Sequence, residues 1–362
     1  MITSSSSLSS PLRRPPQHKH MNISNLAQTE IEKHLKKNDR IILGLSGGPD
    51  SIFLLHQLLK IQDKLSLTIV VAHLNHKIRA QESDTDQAFV TSHIKKHQNN
   101  NPALILEVQE KNIPALTKTS KENLEAVARK HRYHFFKLLA KKHSCRLVLT
   151  AHHADDNIET ILLNLTRGTG LQGLTGIETI TPYPVKPSTL KLFRPLLKLE
   201  KKEIIHYLEH HKIPYCTDSS NFDEQYNRNL LRHQVIPKLK SINPNITKTI
   251  TQNLDIIKGI NDFLNQLSDN WIQENYQKTP EMSFPRSSFI KLHKAIQSTI
   301  LIKIHEKVIG NTSNLQYVNT LEVIQLIDNN IGNKQKRFGK ITFYLRNNIV
   351  KITKNSENEA RK

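Results

Sequence analysis

Short apolar runs separated by amphipathic stretches organise the first half of the chain. Residues 41–45 (IILGL), 67–74 (LTIVVAHL), 103–108 (ALILEV) and 146–151 (RLVLTA) are brief and continuous, the pattern of strands buried on both faces. The segments between them carry helical periodicity and read as crossover helices. The series is βαβ and predicts an α/β fold, an open, doubly wound, mostly parallel sheet. A helix is also predicted before the first strand, where Ile23, Leu26, Ala27, Ile31 and Leu35 follow Met21. The pattern breaks from Pro182 to Pro195 and resumes as a Lys/Glu-rich helix over 199–211. A loop holding Asp218, Asn221, Asn227 and Arg228 follows. Beyond it, Ile246, Ile250, Leu254, Ile257, Ile260, Phe263, Leu264, Leu267 and Trp271 keep the spacing of a packed helical face. Residues 340–354 alternate apolar and polar positions on both sides of Asn347-Asn348, a hairpin signal. No internal repeat is present. The expected division is a tail over 1–21, a catalytic domain over 22–230 and a mostly helical domain over 231–362 that ends in a β-hairpin.

Composition narrows the class. The 362 residues include 37% hydrophobic ones, enough for at least one sizeable core. No window approaches the roughly 18 consecutive apolar residues of a spanning helix, so a soluble protein is expected. With Cys145 and Cys216 as the only cysteines, there is neither a disulfide framework nor a C-x-x-C pair, and a reducing compartment fits. The 52 Lys+Arg against 32 Asp+Glu leave a net charge of +20, which favours a polyanionic partner such as nucleic acid. From Arg232 onward there are 20 Lys+Arg against 10 Asp+Glu, half of that surplus. The charge therefore spans both expected domains, as gripping a long polyanion requires. Residues 1–20 are Ser/Pro-rich and lack acids, which predicts disorder. Their composition suits an organelle transit peptide or a start placed too early. The second reading is preferred because Met21 directly precedes a patterned helix, and the expected location is the cytoplasm.

In open sheets of this kind ligands bind beyond the carboxyl ends of the strands, so the residues after each strand are the candidates for chemistry. After the first strand stands Ser46-Gly47-Gly48-Pro49-Asp50-Ser51, followed by an amphipathic helix. Two glycines let the backbone pass close to an anion, the first helical N–H groups point at it, and Ser46 and Ser51 add hydroxyls. Asp50 beside a phosphate calls for a cation, so it is assigned to orienting Mg²⁺ or substrate. The plain alternative is a tight turn with Asp50 as a cap. The loop is neither G-x-x-x-x-G-K-[ST] nor G-x-G-x-x-G.

This hexapeptide resembles the PP-loop of the ATP pyrophosphatases, which cleave ATP between the α and β phosphates, adenylate an oxygen of a substrate and let a nucleophile displace AMP. Three more blocks follow in order: His73-Leu74-Asn75-His76-Lys77-Ile78-Arg79; the run from Glu122 to Tyr133 (ENLEAVARKHRY); and the run from Thr150 to Thr160 (TAHHADDNIET), continuing to Gly170. Together with Arg194-Pro195, Asp218 to Asn221 and Asn227 to His233, they are similar to the tRNA(Ile)-lysidine synthase family over about residues 40–237.

The resemblance implies ATP and Mg²⁺ as cofactors. It implies free L-lysine and tRNA(Ile) with a CAU anticodon as substrates, the wobble cytidine being adenylated before lysine displaces AMP. A homodimer is compatible with this sequence. Asp156 and Glu159, three apart on a helix, make an anionic pair suited to the lysine cation, and their plain alternative is acids favouring a helix N-terminus. Of Arg129 and Arg132, Arg132 is assigned to charge developing on the α-phosphate. Arg79, Arg228 and Arg232 are candidates for tRNA contact. A zinc reading of His152, His153, Asp155 and Asp156 lacks a third ligand at catalytic-site spacing. A thiolase would need a persulfide cysteine or cluster ligands, whereas Cys145 and Cys216 read as packing residues. A nucleotide fold that only binds RNA would be expected to have lost Ser46, Asp50, Asp156 or Glu159, and all four are present.

Overall fold

The computed structural model describes residues 18–78, 81–99, 101–120, 122–185, 189–217, 226–278, 281–310, 317–329 and 334–355. Most of the expected tail, and the loop residues Asp218 and Asn221, lie outside them. Two compact units are formed, one from residues up to Asp156 together with 178–226, the other from 157–177 and 227 onward.

The first unit is built on β1 (Arg40–Gly44), β2 (Thr68–Asn75), β3 (Leu104–Glu110), β4 (Leu147–Leu149), β5 (Ile180–Pro182) and β6 (Lys191–Phe193), ordered β3-β2-β1-β4-β6-β5. Every pair is parallel except β5–β6, so the mostly parallel sheet expected of the pattern is present. Side chains alternate between faces along each strand. On one face Ile41, Leu43, Ile69, Val71, Leu147 and Leu149 pack under α1 (His18–His34), α2 (Pro49–Leu65), α3 (Gln81–Gln98) and α8 (Lys201–His210). On the other, Ile42, Val70, Ala72 and Val148 meet Phe135, Phe136 and Leu139 of α5 (Leu124–His143). Both faces are covered, which is why these strands read as continuous apolar runs. Short α4 (Ile113–Lys118) precedes α5. Leaving β1, the chain joins β2 on one side and later β4 on the other, so the topological switch falls between β1 and β4. The β5–β6 pair occupies the stretch where the pattern broke; three-residue strands are too short to show a period.

Helix α6 (Ala154–Thr166) leaves the first unit and, with α7 (Leu171–Leu174), enters the second. There α9 (Tyr226–Leu230) runs through a π-turn at Leu231–Val235 into α10 (Ile236–Ile242), followed by α11 (Ile246–Asn275). Next come β7 (Ser283–Pro285), α12 (Arg286–Phe289), α13 (Lys294–Ile309), α14 (Tyr317–Asp328), β8 (Gln335–Phe338), β9 (Ile341–Arg346) and β10 (Ile349–Lys354). The strands form an antiparallel sheet ordered β7-β10-β9-β8. Phe284, Phe289, Phe338 and Phe343 pack with Trp271 and the apolar faces of α13 and α14. The hairpin expected at 340–354 is β9–β10, and Asn347 (φ 50°) and Asn348 (φ 60°) give the left-handed pair that a tight two-residue turn needs. One expectation is corrected. Along α11, Leu254, Trp271 and Ile272 are buried, but Ile260 and Phe263 are 49% and 60% exposed. A 30-residue helix is about 45 Å long, and its own unit covers only part of that length.

The turn gives a prediction. Asn348→Val should cost about 1–2 kcal/mol because a β-branched residue resists the left-handed region, whereas Asn348→Gly should stay within about 0.5 kcal/mol of wild type. Urea unfolding followed by the fluorescence of Trp271, the single tryptophan, checks both.

Candidate active site

A cleft of about 470 Å³ opens at the topological switch of the first unit, where ligands of doubly wound sheets collect. Its walls come from the carboxyl ends of three strands. Ser46, Asp50 and Ser51 follow β1; His73, Asn75 and His76 end β2; and Thr150, His152 and Asp156 follow β4, with Arg132 and Phe136 of α5 alongside.

The 46–51 loop is held by its own polar groups. Gly47 sits at φ 95°, a conformation a side chain resists. Ser51 Oγ donates to the Gly48 carbonyl at 3.0 Å and lies 3.1 Å from Ser46 Oγ. The N–H of Gly48 donates to Ser46 Oγ at 3.3 Å. The two serines expected to face an anion thus also brace the loop. Gly48 caps α2 without a side-chain hydrogen bond and Pro49 starts the helix, so the helix N-terminus is left to backbone N–H groups. Cys216 adds a tether, its N–H donating to the Gly47 carbonyl at 2.9 Å, while its Sγ lies 3.4 Å from where a Cβ on Gly47 would stand. Sequence reasoning took Cys216 for packing only, and a lone cysteine carries no spacing signal. Cys145 is buried, and desolvation pushes its thiol up to about 11.

Around His153, 3% exposed, three carboxylates converge. Its Nε2 lies 3.6 Å from Asp50 Oδ2 and 3.5 Å from Asp156 Oδ2, and its Nδ1 lies 3.6 Å from Asp155 Oδ2. The His153 N–H donates to Asp156 Oδ2 at 3.0 Å, fixing that carboxylate at the start of α6. Asp155 instead accepts from the N–H of Lys201 at 2.9 Å and so pins the start of α8. Lys201 Nζ stands 3.9 Å from Asp50 Oδ2. No sequence signal had singled out His153 or Lys201 as partners of Asp50.

Arg132 lines the cleft, whereas exposed Arg129 lies over the Tyr133 ring at 4.8 Å. Lys77 is engaged by Asp84 and Glu110, and of the block from His73 to Arg79 it is His73, Leu74, Asn75, His76 and Ile78 that line the cleft. Arg79 lies outside the described residues. Glu159, 2% exposed, belongs to the second unit. There Arg232 grips it with both ends of the guanidinium, Nε to Oε1 at 2.6 Å and Nη2 to Oε2 at 2.9 Å. Arg228 is exposed on α9.

Comparison with known proteins shows the family. Residues 17–239 match the PP-loop domain family, and the chain belongs to it. In fold the chain resembles a U34-tRNA thiolase from Methanococcus maripaludis (TM-score 0.53, 15% identity, 67% of this chain and 80% of that one). Within the PP-loop proteins the chain belongs to the tRNA(Ile)-lysidine synthase family. It is 30% identical to the tRNA(Ile)-lysidine synthase of Clostridioides difficile (strain 630), over 90% of this chain and 69% of that one. Identity to the corresponding protein of Bacillus subtilis (strain 168) is 35%, over 64% of this chain and 47% of that one. The chain thus spans about half to two thirds of the length of these relatives.

Two half-buried imidazoles in the cleft make stability pH-dependent. Desolvation, then repulsion from Arg132, holds His76 down at about 3; desolvation holds His152 down at about 4 against the pull of Asp156. An unfolded chain protonates both near 6.5, so the folded state binds fewer protons below that pH. Their contribution is present above pH 6.5 and is lost as pH falls toward 4. The urea midpoint should therefore be flat from pH 8 to 7 and fall from about 6.5 downward, and His152→Gln should flatten the slope.

Proposed function

We propose that the chain joins lysine to the wobble cytidine of a tRNA(Ile) bearing the CAU anticodon, consuming ATP and releasing AMP and pyrophosphate. The observation that carries this reading is the meeting of the 46–51 loop, Asp50, Arg132 and Asp156 in one cleft at the switch point. The backbone N–H groups at the start of α2 receive phosphate oxygens of ATP. The cytosine carbonyl oxygen attacks the α-phosphorus and pyrophosphate leaves. Charge developing on the α-phosphate is met by Arg132, which is half-buried in the cleft wall, where partial exclusion of water strengthens that attraction. The ε-amine of lysine then attacks the activated ring carbon, loses a proton and expels AMP.

Asp156 is assigned to the lysine ammonium and to taking its proton, since its carboxylate is fixed within the cleft wall. Glu159, held by Arg232, enters the proposal as the anchor of that arginine. Hard oxygen donors suit Mg²⁺, and the Asp50 and Asp156 carboxylates approach the same His153 nitrogen. Asp50 would hold Mg²⁺, which when bound offsets phosphate charge. The basic surplus in both halves, with Arg79 and Arg228, is assigned to the tRNA backbone, and the target base must be splayed out of its loop. Among the described residues no helix is long and apolar enough to cross a membrane, in keeping with a cytoplasmic enzyme.

Labelled lysine should enter a CAU-anticodon tRNA(Ile) transcript only when ATP is present. Asp50→Ala and Arg132→Ala should each lower the rate by about 10²–10³-fold. Asp156→Asn should also raise the KM for lysine. AMP formation with a different tRNA or amine would replace the substrate assignment, and the absence of both label and AMP would leave only an RNA-binding role.

A further inference from the structure

A group of three histidines outside the cleft is unused by this chemistry. His56 lies on α2, and His93 and His97 lie one turn apart on α3, so both project toward the same neighbour. His56 Nε2 stands 3.2 Å from His93 Nε2, and one nitrogen from each of the three rings lies within 4.8 Å of the others. The ring centroids form a nearly equilateral triangle with sides of 5.4, 5.3 and 5.2 Å. With metal–nitrogen bonds of about 2.0–2.1 Å, ligand nitrogens at the corners of a tetrahedron stand about 3.3 Å apart, which the His56–His93 pair already matches. Burial lowers both of those imidazoles to about 4, so each is neutral and offers a lone pair at neutral pH.

We propose that His56, His93 and His97 bind a divalent transition metal ion of the zinc class, which staples α3 to α2. An all-imidazole set favours zinc, cobalt or nickel over the hard, oxygen-seeking Mg²⁺ that accompanies ATP, so the two ions sort to different places. The staple has a mechanical reason. The buried residues of α3 are Val90, His93 and Ile94, a small apolar anchor for an 18-residue helix. That anchor lies against the nucleotide loop: Val90 Cγ2 and Phe89 Cδ1 stand 3.2 and 3.6 Å from the position a Cβ on Gly47 would take, and Phe89 stacks on His93. A metal joining α3 to α2 therefore fixes the wall behind the loop. The competing account is a hydrogen bond between two neutral imidazoles with no ion.

The test is titration of the metal-stripped full chain with Zn²⁺ and Co²⁺. The first equivalent of Co²⁺ should give the visible bands of a tetrahedral ion, resist excess Mg²⁺ and raise the melting temperature. His56→Gln and His97→Gln, at half-buried positions, should each weaken binding by about tenfold or more and remove the bands. His97→Cys should retain the ion and add a sulfur-to-cobalt charge-transfer band. First-equivalent binding that persists unchanged in both Gln variants, a six-coordinate cobalt spectrum, or displacement by Mg²⁺ would overturn the proposal.

Discussion

The site depends on the pairing of β1 with β2 on one side and β4 on the other, both parallel. Gly44 aligns with Ala72, and Leu43 with Leu149, so β1 and β4 finish within one residue of each other while β2 runs three residues further, to Asn75. A chain leaving β1 must turn into α2 above that level, and the diverging crossovers open the cleft that neither neighbour fills. Shifting β1 by one residue would exchange Ile41 and Leu43 with Ile42 between two differently shaped helix layers, as well as displacing the loop. Register and binding site are thus one constraint.

Within that frame the electrostatics are balanced around a buried histidine. Three carboxylates near an anionic substrate would be unfavourable alone, and the fold disposes of them separately. Asp155 is spent on the N-terminus of α8, Asp50 faces Lys201, and Asp156 accepts from a backbone N–H while sharing His153 with Asp50. Arg132 supplies cation to the same cleft, and its neighbour His76 is held neutral. Negative and positive groups lining the cleft stand on different elements: Asp50 on α2, Asp86 on α3 and Asp156 on α6, the arginine on α5.

The sheet was legible because every central strand is covered on both faces, so burial writes itself as unbroken apolar runs. The loop was legible because its glycines and serines are adjacent in sequence. What escaped were contacts across sequence distance, such as Cys216 on Gly47, His153 between Asp50 and Asp156, and Arg232 on Glu159. A run of letters does not show such closures. The β5–β6 pair and β7 and β8 escaped because strands of three or four residues complete barely two periods. The exposed part of α11 misled because apolar spacing reports what a helix is able to bury, not what its unit is large enough to cover.

Attack by the base's own oxygen on the α-phosphorus is the central chemical claim, and an isotope distinguishes it. A tRNA carrying ¹⁸O in the wobble cytosine carbonyl, reacted with ATP and lysine, should deliver that oxygen into AMP as the amine displaces it. Unlabelled AMP alongside lysine-modified tRNA would contradict the account, because the oxygen would then have left by a route that never joined it to phosphorus.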